Sequence, residues 1–107
     1  MKHGMIEDSD GDREWYCNDK LHRDNAPAIE RADGTHMWYY HGKQHRSDGP
    51  AVEWQDGNRE WWYHGERHRD DGPALEYTNG KRLWYYSGEL HRTDGPAVEE
   101  SDGTREW

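Results

Sequence analysis

A 23-residue period runs through this chain and leaves little freedom for its fold. Trp15, Trp38, Trp61, Trp84 and Trp107 recur at that step, and so do Gly11, Gly34, Gly57, Gly80 and Gly103. Glu7, Glu30, Glu53, Glu76 and Glu99 form a third column, beside an aliphatic one of Ile6, Ile29, Val52, Leu75 and Val98. His22, His45, His68 and His91 recur, each followed by Arg; Pro27, Pro50, Pro73 and Pro96 recur, each followed by Ala. Units this short cannot bury a core alone, so self-similarity at such a period means stacked repeats whose stability comes from their neighbours.

Glycine or proline every few residues excludes helix and points to short strands. Each unit holds two turn signals: an Asp-Gly pair (Asn79-Gly80 in one repeat), and His41-Gly42, His64-Gly65 or Ser87-Gly88. Such pairs favour two-residue hairpin turns, because glycine accepts positive φ at little cost. The following Asp-Gly-Pro-Ala segment removes a backbone donor and bends a strand or marks an edge. The expected fold is all-β, an elongated single antiparallel sheet of 23-residue hairpin repeats. It forms one repeat domain over 1–107, starting in phase near residue 6 and ending on the strand of Trp107.

Two-residue turns at both signals fix a register. Around Asp56-Gly57, Val52 faces Trp61, Glu53 faces Glu60 and Trp54 faces Arg59. Around His64-Gly65, Trp61 faces His68 and Glu60 faces Arg69. Alternation then gives a core face of Val52, Trp61, Tyr63 and His68, and a solvent face of Glu53, Glu60, Trp62 and Arg69. The Trp column and the His column are expected to be the structural core of every repeat.

The 23-residue step, the "WYYHGKQHR" run and the "DG" that follows resemble MORN-type repeats, and most closely the variant repeats of YwqK-like antitoxin and phage proteins. Ordinary units of that type carry "HG-x-G" where this chain has "HR-x-DGPA". The resemblance implies a sheet scaffold that binds proteins and, in some members, lipids.

Charge narrows the partners. The net charge is −9, from 23 acidic and 14 basic residues. That opposes direct contact with nucleic acid or an anionic membrane and suits a protein partner with a basic surface. One cysteine, Cys17, permits no internal disulfide and fits a reducing compartment. The absence of any signal-like or membrane-length apolar run completes the expectation of a cytoplasmic protein.

Candidate chemistry dissolves into the repeat. Same-column histidines stand about 10 Å apart by strand spacing, too far to share one metal ion, so neither metal nor cofactor is expected. Ser9, Ser47, Ser87 and Ser101 occupy turn or connector columns, Cys17 occupies a Tyr column, and the Glu53/Glu60 pair recurs as Glu7/Glu14 and Glu99/Glu106. No catalytic residue is expected. Columns that vary are more informative, because the scaffold does not dictate them. Trp54 and Tyr77 stand where other repeats place Arg31 and Glu100, and Trp62 replaces a column Tyr. Together with Glu53, Glu60 and Glu76 they form the expected partner-binding strip. The leading expectation is a non-catalytic protein-binding module: an antitoxin, immunity factor or phage-borne inhibitor, whose carboxylates imitate a phosphate track before a nucleic-acid-handling enzyme. A self-associating scaffold, dimerising edge to edge, is the alternative from a different class; an enzyme is the third.

Overall fold

The computed structural model describes residues 3–107. Among these every regular element is a strand, and the molecule measures 46 × 25 × 17 Å. Each repeat contributes two strands to one long antiparallel sheet, Val52–Glu53 and Arg59–Glu60 in the third unit. Arg59–Glu60 then pairs with Leu75–Glu76 of the next unit, so the sheet continues across every joint. Beyond Trp61 the chain forms a second hairpin, Trp62–Tyr63 against Glu66–Arg67, and equivalent hairpins stand beside the sheet as a row of arms.

The two turn signals behave differently. The arm turn has two residues, with His64 at φ 48° and Gly65 at φ 83°, and Trp61 lies opposite His68 as expected. The Asp-Gly turn is longer by one residue. Gly57 N donates to Trp54 O at 2.9 Å and Trp54 N to Asn58 O at 2.9 Å, which encloses Gln55, Asp56 and Gly57 in a three-residue loop with Gly57 at φ 98°. Val52 therefore faces Glu60 instead of Trp61, and Glu53 faces Arg59 instead of Glu60.

A one-residue slip moves every side chain of a strand to the other face. The aliphatic face carries Ile29, Met37, Val52, Glu60, Leu75, Leu83 and Val98 in line across the strands. The opposite face carries Glu30, His36, Glu53, Arg59, Glu76, Arg82 and Glu99, a row that alternates acid and base. The expected grouping of Val52 with Trp61 is overturned. Ile29, Met37 and Val52 instead form a buried cluster covered by Leu21, Tyr39 and Trp62 of the arms. Ala28, Ala51 and Ala74 are fully buried beside them.

The Trp column does not form that core. Trp15, Trp38, Trp61 and Trp84 alternate to the charged-row face and are half-buried, and Trp107 is 85% exposed. Each of the first four lies under an Arg guanidinium, with Arg23, Arg46, Arg69 and Arg92 at 3.8–3.9 Å from the ring centroid. The same Arg donates to the carbonyl of the repeat proline and pairs with the repeat glutamate, as in Arg69 to Pro73 O at 3.1 Å and Glu76 at 3.5 Å. Trp, Arg and Glu thus make one bracket per unit, fixing the bend that proline introduces.

Candidate functional site

Two sets of side chains tie each unit to the next. At the Asp-Gly turns a side-chain oxygen captures a backbone N–H of the following turn: Asp12 accepts from Ala32 N at 2.8 Å, Thr35 from Gln55 N at 3.2 Å and Asn58 from Thr78 N at 2.9 Å. At the arms the histidines do the same. Nδ1 of His22, His45 and His68 accepts from the backbone N of His41, His64 and Ser87, each at 2.9 Å. These histidines are half-buried joints between repeats rather than core partners of Trp, and His91 is exposed. His45 is pushed below its ordinary 6.5 by burial first and by the neighbouring His64 second. Among the described residues no group of three or more His, Cys, Asp or Glu is placed to hold a metal ion.

The expected binding strip is split by the register slip. Trp54 Nε1 donates to Glu60 Oε2 at 2.7 Å, and Trp62 Nε1 donates to Glu60 Oε1 at 2.9 Å, so one carboxylate fixes both indoles. Trp62 is half-buried against the aliphatic cluster and is not on a solvent face. Arg67 lies over its ring at 5.3 Å and reaches Tyr85 on the other side. Trp54 and Tyr77 are each 39% exposed, at equivalent positions of adjacent turns. Glu53 and Glu76 lie on the other face, held by Arg46 at 3.4 Å and Arg69 at 3.5 Å. The glutamate column from Glu30 to Glu99 is thereby matched, residue for residue, by arginines. With Arg59 and Arg82 also standing between the glutamates, the row is not a run of carboxylates alone.

The acid surplus sits elsewhere. The turn segments 8–12, 31–35, 54–58, 77–81 and 100–104 contain Asp8, Asp10, Asp12, Asp33, Asp56, Glu100 and Asp102, against Arg31 and Lys81. Seven carboxylates against two cations leave −5 of the molecule's −9 on this one edge. Hydrogen bonds within the turns hold Asp33 and Asp102 below the usual carboxylate range, through the N–H groups of Thr35 and Thr104. These groups are therefore anionic at neutral pH. A shallow cleft of about 330 Å³ opens on this edge between Asp33, Gly34 and His36 of one turn and Trp54, Gln55 and Asn58 of the next.

Position within the variable column singled out Trp54 and Tyr77, and both rings meet solvent. It failed for Trp62, whose face depends on the turn length. The clustering of acid at the Asp-Gly turns was visible in the sequence once those segments are grouped along one edge. No family model, characterised protein or solved structure matches this chain. Among the described residues no helix is long and apolar enough to cross a membrane.

Proposed function

We propose that this chain is a non-catalytic, MORN-like repeat module that binds a basic protein surface along its Asp-Gly turn edge. The observation that carries the reading is Trp54: a large exposed ring, pinned by Glu60, beside a cleft on the edge that holds most of the net charge. A ring already fixed in place loses little freedom on binding, which is the condition under which an aromatic anchor contributes most. Tyr77, on the next turn, extends the same edge. The edge's −5 lies in its first and last turns, at Asp8, Asp10, Asp12, Glu100 and Asp102, while Asp33 and Asp56 beside Trp54 are offset by Arg31 and Lys81. The charged ends steer a cationic partner to the edge and speed encounter, and salt weakens that effect. Occlusion of an enzyme that handles nucleic acid, in the manner of an antitoxin or a phage inhibitor, is the role this charge balance suits best.

Affinity capture with the wild-type chain, followed by binding kinetics on the captured partner, tests the reading. Trp54→Ala should weaken binding by about 1–2 kcal/mol or more, mainly through faster dissociation, with the fold retained. Asp33→Asn with Asp56→Asn should slow association at low salt. A folded Trp54→Ala/Tyr77→Ala variant that binds the partner normally would remove the turn edge from consideration.

A further inference from the structure

On the face opposite the aliphatic cluster, the arm hairpins carry a continuous file of rings. His22, Tyr40, His45, Tyr63, His68, Tyr86 and His91 follow one another with centroid separations of 4.7, 5.9, 4.6, 6.0, 4.5 and 6.0 Å. The three tyrosines are exposed, at 45%, 48% and 54% for Tyr40, Tyr63 and Tyr86, and so is His91 at the end of the file. Within a fold this thin, three half-exposed tyrosines in line form an unpartnered aromatic strip.

The charges along that strip are ordered. The hairpin register sets Lys20 opposite Cys17, Lys43 opposite Tyr40, Glu66 opposite Tyr63 and Glu89 opposite Tyr86. Opposed residues share a face, so the ring file is bordered by Lys, Lys, Glu, Glu in that order. The Lys20 stem runs beside Gly42, Lys43 beside Gly65 and Glu66 beside Gly88, which makes the four a straight row across the repeats. All four are exposed, and among the described residues none has an ion-pair partner. The arginines of this face are in a different condition, since Arg46, Arg69 and Arg92 are each already matched by their own Asp.

A row that reads plus, plus, minus, minus is its own complement after a two-fold rotation. We propose that two copies of this chain associate antiparallel through the tyrosine strip, with Lys20 and Lys43 of one copy meeting Glu89 and Glu66 of the other. A two-fold interface uses one patch twice, which is the condition this charge order meets and a uniformly acidic surface would not. The four positions advance about 10 Å per repeat and so span about 30 Å. The arms occupy only part of the molecule's 25 Å breadth, so the footprint is smaller than the ~800 Å² per partner of a standard interface and the dimer is of the weak, salt-sensitive kind. Twisted sheets pack face to face at about 30°, so the strip does not need to be flat. The surface is distinct from the Asp-Gly turn edge, which a dimer of this kind leaves free.

Sedimentation velocity at low ionic strength tests it, with circular dichroism confirming that each variant is folded. The wild type should be a dimer that dissociates as salt rises. Lys20→Glu/Lys43→Glu and Glu66→Lys/Glu89→Lys should each be monomeric, with self-association at least about a hundredfold weaker. Mixed one to one, the two variants should form a heterodimer, and a chain carrying all four reversals should dimerise again. A wild type that stays monomeric at high concentration overturns the proposal. So does either double reversal that dimerises like the wild type, or a fourfold reversal that remains monomeric.

Discussion

Arg69→Ala isolates the bracket that holds each repeat to its bend. The guanidinium lies over Trp61 at 3.9 Å, donates to Pro73 O at 3.1 Å, and reaches Asp71 at 3.1 Å and Glu76 at 3.5 Å. Asp71 is 87% exposed, so its pairing adds little. The bond from a charged donor to the Pro73 carbonyl is worth about 1.5–3 kcal/mol, and the stacking on Trp61 adds about 0.5–1 kcal/mol. Removing the side chain should therefore cost about 2–4 kcal/mol, a large share of the ~5–15 kcal/mol that a domain of ordinary stability has. Arg69→Lys should recover less than half of that, because an ammonium cannot lie flat on the indole while donating in two directions. Urea unfolding is the assay, with the midpoint falling and the slope unchanged. Arg46 and Arg92 make the same contacts and should behave alike. A loss below about 0.5 kcal/mol, or a lysine variant as stable as wild type, would refute the bracket. Gly72 offers an independent check, since a Cβ there would stand 2.9 Å from the Arg69 Cζ. The first unit has Ala26 at this position and still keeps Arg23 over Trp15 at 3.8 Å. Gly72→Ala should accordingly cost under about 1 kcal/mol, well short of losing the arginine.

Two further outcomes follow from the packing and the joints. Val52, 1% exposed at the centre of the aliphatic cluster, should lose about 2–3 kcal/mol as Val52→Ala, and half-buried Trp61 should lose no more than the low end of the ~3–5 kcal/mol typical of a buried ring when cut to Ala; paired denaturant titrations decide the order. Stability should be full above pH 6.5 and decline as pH falls below it. His45 is favoured neutral in the fold, so the unfolded chain takes up a proton there first. The groups facing it are the Tyr40, Tyr63 and His64 rings and the His64 N–H that its Nδ1 accepts. His22 and His68 have Asp24 and Asp70 at 3.0 and 2.8 Å, where His45 has only Ser47 two residues on. Ser47→Asp should move the acid decline to lower pH, and a melting series from pH 7.5 to 5 measures it.

The sequence by itself determined the period, the all-β class, the antiparallel sheet and the register of the arm hairpins. Those follow from local chemistry: His64-Gly65 and its equivalents accept the two positive φ angles that a two-residue turn demands. It also made Trp54 and Tyr77 stand out, because a ring in a column of charges has no scaffold reason to be there. The length of the Asp-Gly turn was decided only by tertiary structure. Asp-Gly suits a two-residue loop and a three-residue loop equally, since both need glycine at positive φ. The longer loop is held both locally, where Asp56 accepts from Asn58 N, and by the neighbouring repeat, where Thr35 captures Gln55 N–H and Asn58 captures Thr78 N–H across 20 residues of sequence. That choice moved Val52 away from Trp61, turned Trp62 inwards, and parted Glu53 from Glu60. Side-chain period two makes the sheet unforgiving in this respect. One added residue in a turn exchanges the inner and outer faces of a strand, and the contacts made within and between the folded repeats settle which face is which.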